Sequence, residues 1–143
     1  METNGEKLYR LAKESINKDI SPTQNALSCA ESVSTLLNRV SKDIRVVTGT
    51  YTLLEELIKN CDEITHEVPY SIIISATGTQ PKNSPLEHGH VGIVGKNLSP
   101  DGTLYVMSSD YRSGLWTVNF TVKKFIYYYR TFGKFPVRYF KIK

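Results

Sequence analysis

The chain has 143 residues, 40% apolar and 22% charged, and a net charge of +4. That describes one globular domain over residues 1–143, behind a polar tail at 1–5, with room for a single core. The polar start carries no secretory leader pattern and no apolar run reaches membrane-span length. Synthesis in the cytoplasm without a signal peptide and no membrane insertion are therefore expected.

Residues 6–18 place Leu8, Leu11, Ala12 and Ile16 on one helical face, and Pro22 ends that pattern. A loop then feeds Ser28-Cys29-Ala30-Glu31. Ser28 is a good N-cap and Glu31 has the capping-box spacing, so Cys29 is expected as the first residue of a helix running to about Val40. Residues 45–47 suggest a short extended piece. Thr52 and Glu55 repeat the capping spacing before a third apolar stripe that ends near Asn60 and Cys61.

After that the period changes. Ser71-Ile72-Ile73-Ile74-Ser75 reads as a central strand buried on both faces. Residues 76–87 form a loop long enough to suggest a functional role. Gly89-His90-Val91-Gly92-Ile93-Val94-Gly95 is a strand, and Ser99-Pro100-Asp101-Gly102 turns it into a hairpin with residues 103–108. A third strand is expected at 115–118, a short helix capped by Thr121, and a last strand at 137–142. Helices first and an antiparallel sheet second mean an α+β fold, with the helices packed on one face of the sheet.

The chemistry centres on Cys29. At a helix start, free N–H groups and the helix dipole favour thiolate over thiol. Two cysteines are no disulfide framework, and Cys61 reads as core. A thiol nucleophile needs a base and a group that orients the base. His90, opening a strand, is the candidate base. His66 reads as a surface residue, and His88 as near the site without belonging to it. The orienting residue is expected on the next strand, as Asp110, with Ser108 and Ser109 as alternatives. Gly89 offers close backbone approach to a substrate. The N–H of Cys29, with Gln24 or Asn25 from the preceding loop, is the candidate oxyanion or substrate-binding group. A zinc site of Cys29, His88 and His90 lacks a fourth ligand, so neither metal nor cofactor is expected.

A cysteine at a helix start, then Gly-His-Val-Gly-Ile-Val on a strand, then a polar residue on the next strand resembles the NlpC-type and CHAP-type papain-like cysteine hydrolases. Small phage endolysins look closest. The resemblance spans residues 21–142. It implies a papain-like fold and cleavage of amide bonds in bacterial peptidoglycan, as an endopeptidase or N-acetylmuramoyl-L-alanine amidase, with Cys29 as nucleophile, His90 as general base and Asp110 third. The chain differs from these families in having Tyr70-Ser71 where Gly-Asp is common, and Cys29-Ala30-Glu31 where Cys-Ser-Gly is usual.

A basic excess suits an anionic wall. No basic run exceeds Lys123-Lys124, so no nucleic-acid partner is expected. Release by a holin or another route fits a lysin, and an immunity protein would accompany a secreted toxin. A monomer is expected. The tyrosine-rich tail reads mostly as core, with Trp116 and residues 127–129 as candidates for stacking on sugars. The alternative is a catalytically inactive wall-binding or protein-interaction domain on the same fold.

Overall fold

The computed structural model describes residues 1–21 and 29–143. Helix α1 (Asn4–Glu14) starts at Thr3, whose hydroxyl accepts from the Glu6 N–H while the Glu6 carboxylate accepts from the Thr3 N–H. This is a complete capping box, which satisfies two otherwise orphan donors. Its buried residues, Leu8 and Ala12, are one turn apart.

Helix α2 (Cys29–Val40) begins at the cysteine, as its pattern predicts. Ala30, Val33, Leu36 and Leu37 are buried and form the inner face. Ser28, the expected cap, lies outside the described residues. Helix α3 (Thr50–Asn60) is capped three residues before the expected Thr52. Its N-cap is Gly49, with no side-chain bond, so the Thr52–Glu55 spacing does not set the boundary. Between α2 and α3, residues 45–47 form no strand. Side chains take their backbone donors instead: the Glu56 carboxylate accepts the Arg45 N–H, and the Ser34 hydroxyl accepts the Val47 N–H.

Six strands follow: β1 (Cys61–Ile64), β2 (Ile72–Ser75), β3 (His90–Leu98), β4 (Leu104–Ser109), β5 (Trp116–Thr121) and β6 (Arg138–Ile142). They form one open antiparallel sheet in the order β1-β6-β2-β3-β4-β5. The fold is α+β. Strand β1 is not anticipated by the sequence pattern. Its middle residues, Asp62 and Glu63, are exposed, and it is held by pairing with β6.

The β2 run is buried throughout because both faces are covered. Ile72 and Ile74 face a core with α1, α2 and α3, while Ile73 faces a second core with Phe125, Tyr129, Phe135 and Tyr139. The expectation that all helices share one face therefore holds only for the first three. Helix α4 (Val122–Phe125), capped by the Thr121 hydroxyl, continues into a π-helix (Ile126–Phe132) on the opposite face. The reason is the parity of β3 and β4. Val94 and Val106 point away from the α2 side, and that apolar patch needs its own cover.

The aromatic tail divides accordingly. Trp116 is fully buried and its Nε1–H donates to the Ala12 carbonyl at 3.0 Å, so it is not available to a sugar. Tyr129 is buried, and Tyr127 and Tyr128 are exposed.

Candidate active site

Three elements converge at one end of the sheet: the start of α2, the start of β3, and the end of β4. Cys29, Gly89, His90 and Asp110 all line one cavity of about 890 Å³. Gln24 and Asn25 lie outside the described residues.

Cys29 keeps part of its surface open, yet its sulfur sits among many protein atoms. That burial pushes its thiol up to about 11, against backbone N–H groups of Ala30, Val91 and Cys29 itself that pull the other way. The helix start thus supplies the expected donors, but desolvation outweighs them and the thiol rests protonated. The Val91 N–H is the link between α2 and the histidine strand, because Val91 directly follows His90. Cys29 and Cys61 are both free thiols.

His90 is buried and faces the second core. Its ring stacks on Tyr129 at 5.7 Å between centroids and 13° between planes, and lies 5.5 Å from Phe120. This apolar surround lowers it to about 4, with Asp110 acting weakly in the opposite direction. The imidazole is therefore neutral at pH 7.

The partner of His90 on β4 is Ser108. His90 Nε2 lies 2.8 Å from Ser108 Oγ, and the Ser108 hydroxyl donates to Asn119 Oδ1 at 2.5 Å. With the Asn119 carbonyl turned to Ser108, the single hydroxyl proton is committed to it. The Ser108 oxygen then accepts from Nε2–H, and the lone pair of neutral His90 is on Nδ1. Asp110 does not hydrogen-bond the ring. Its carboxylate accepts from the Arg112 N–H and the Ser113 hydroxyl, closing the turn after β4. It lines the same cavity and acts on His90 through charge alone. Ser109 points to the other face and donates to Ser32 Oγ at 2.7 Å, which fastens α2 to β4.

Asn119 has no counterpart in the sequence reading. Val106 pairs with Phe120 and Met107 with Val118, so Asn119 is the extra residue of a bulge in β5. Bulges re-aim side chains beside sites, and this one aims an amide at Ser108. Nothing in the local sequence marks it.

Gly89 is required by its own neighbours. A Cβ there would stand 1.8 Å from the Ser75 carbonyl oxygen. Its N–H donates to the Thr77 hydroxyl, and the Thr77 N–H donates to the Thr50 hydroxyl, so the start of α3 and the end of β2 are tied at the cavity rim. Residues 76–87 contribute Thr77, Leu86 and Glu87 to the wall.

No family model matches this chain, and no curated protein does. Among the described residues no three His, Cys, Asp or Glu side chains are grouped to hold a metal ion. His88 is mostly exposed, 3.9 Å from the Glu87 carboxylate. No helix among these residues is long and apolar enough to cross a membrane.

Proposed function

We propose that this chain is a papain-like cysteine hydrolase that cuts amide bonds, with bacterial peptidoglycan as its substrate. The observation that carries the reading is the shared cavity. A helix-start thiol and a histidine with its Nε2 engaged by Ser108 line the same space. The peptidoglycan substrate rests on the sequence resemblance and on the basic net charge.

In this reading His90 Nδ1 takes the thiol proton as Cys29 Sγ attacks the amide carbon. The oxyanion forms near the N–H groups at the start of α2. His90 returns the proton to the leaving amine and the C–N bond breaks, leaving a thioester. Water then attacks with His90 as base, releasing a carboxylic acid and restoring the thiol. A resting neutral pair suits a step in which proton transfer accompanies attack. Ser108 stabilises the imidazolium by accepting from Nε2–H.

Digestion of purified sacculi tests this. Wild type should release fragments with new amine ends, visible by mass spectrometry, and Cys29→Ala should release none while keeping its fold. Release by Cys29→Ala would sink the mechanism.

One observation favours a second reading, a wall-binding or protein-interaction domain without catalysis. Burial pushes Cys29 up and His90 down, so both are uncharged at rest. Alkylation by iodoacetamide at pH 7 separates the two readings. If His90 serves as base, His90→Gln should slow alkylation of Cys29 by about tenfold or more. Equal rates would support the non-catalytic domain.

A further inference from the structure

The cavity holding Cys29 and His90 continues past β5. A second depression of about 500 Å³, lined by Asp101, Lys123, Lys124 and Tyr127, meets it along Asn119, Phe120 and Tyr128. Charge changes sign along the groove. Around the reactive pair the charged walls are Glu87, Asp110 and Arg112, with carboxylates in excess. In the second depression Lys123 and Lys124 outnumber the single carboxylate of Asp101.

That carboxylate is already engaged. It accepts from the hydroxyls of Ser99, Thr103 and Thr121 and from the Thr103 N–H, and these bonds hold it well below the usual carboxylate range. Its lone pairs are turned into the β3–β4 hairpin and the start of α4. Among the described residues neither Lys123 nor Lys124 makes an ion pair, and both are exposed. Exposed Tyr127 and Tyr128 stand beside them. An anion entering the groove is disfavoured beside Glu87 and Asp110 and favoured beside the two ammonium groups.

Building on the hydrolase reading, we propose that the second depression is a subsite for a carboxylate-bearing part of the substrate, an acidic peptide, with Lys123 and Lys124 as its cations. The acidic portion of the substrate then lies toward the π-helix, and any amine-bearing portion lies toward Glu87. Because the cations are exposed, the selectivity is modest and falls as salt rises.

The test uses two soluble N-acetylmuramoyl stem peptides, identical except that one has every carboxylate free and the other has every carboxylate as its carboxamide. Wild type should cleave the carboxylate form with a kcat/KM higher by roughly 2- to 5-fold, the scale of one exposed charge pair. The Lys123→Gln/Lys124→Gln variant should treat both forms alike. Equal cleavage by wild type overturns the subsite, and so does a preference that survives in the double variant. Binding of both compounds to Cys29→Ala, with and without the lysine changes, separates this proposal from the one beneath it. If wild type cleaves neither compound but Cys29→Ala binds the carboxylate form more tightly through the lysines, the hydrolase reading fails and the subsite stands. No lysine-dependent preference in either measurement overturns the subsite.

Discussion

His90, the proposed general base, burdens the fold. Its ring is nearly sealed among Phe120, Phe125 and Tyr129, and its pKa falls from 6.5 to about 4. The unfolded chain takes up this proton near 6.5 and the folded chain only near 4. Acid therefore favours unfolding through this group. The folded state keeps its full margin above pH 6.5 and loses it between 6.5 and 4, by roughly 3 kcal/mol if the whole shift is expressed. Urea denaturation of wild type and His90→Gln at pH 7 and pH 4.5 measures this. The wild-type midpoint should fall more than that of the variant, and parallel losses would mean the ring is not desolvated. Cys29 has the opposite sign: its raised pKa lets alkali, between about 9 and 11, favour the unfolded state. The sequence marks both residues, through a helix start and a Gly-His-Val strand. It does not mark their burial, because the covering rings come from residues 120–129, whose face depends on strand parity across the whole sheet.

At the scale of elements, legibility followed periodicity. The inner faces of α1 and α2 and the strands β2 and β3 are set by patterns within about ten residues, so they are readable locally. Strand β1 is short, with Asp62 and Glu63 exposed, and it exists only because β6 pairs with it. The start of α3 escapes because Gly49 caps it without a side-chain bond and the Thr50 hydroxyl is drawn to Thr77. The bulge that presents Asn119 to Ser108 is a matter of register between β4 and β5, which composition does not encode. Gly89 belongs here too. A methyl group at this position meets the Ser75 carbonyl at 1.8 Å, a contact that only separation of β2 and β3 relieves. Gly89→Ala should cost about 1–3 kcal/mol and weaken the hold on His90, whose N–H donates to Ser75 Oγ. Thermal unfolding checks the first effect, and loss of Cys29 alkylation rate at pH 7 checks the second. A variant as stable as wild type would mean the strands are looser than the contact implies.

For the molecule as a whole, the sheet order matters most. Strand β6 is inserted between β1 and β2, and its Phe140 lies in the core shared by the first three helices. Deleting residues 136–143 should therefore do more than fray an end. It removes the partner of β1 and strips one edge of β2, so cooperative unfolding should be lost. A truncated chain with a sharp melting transition and native circular dichroism would contradict this.

Synthesis runs from the N-terminus, and the sheet order has a consequence there. Cys29, His90 and Ser108 are all synthesised before β6, the strand that lies between β1 and β2. Until residues 138–142 emerge, the nascent chain carries these side chains on an unfinished sheet. The β2 edge that β6 covers, and the places of Phe140 and Ile142 in the core, stay open to chaperones or to a neighbouring nascent chain. A product that stops before residue 138 therefore lacks the strand that lies between β1 and β2, while every residue lining the Cys29 cavity has already been made.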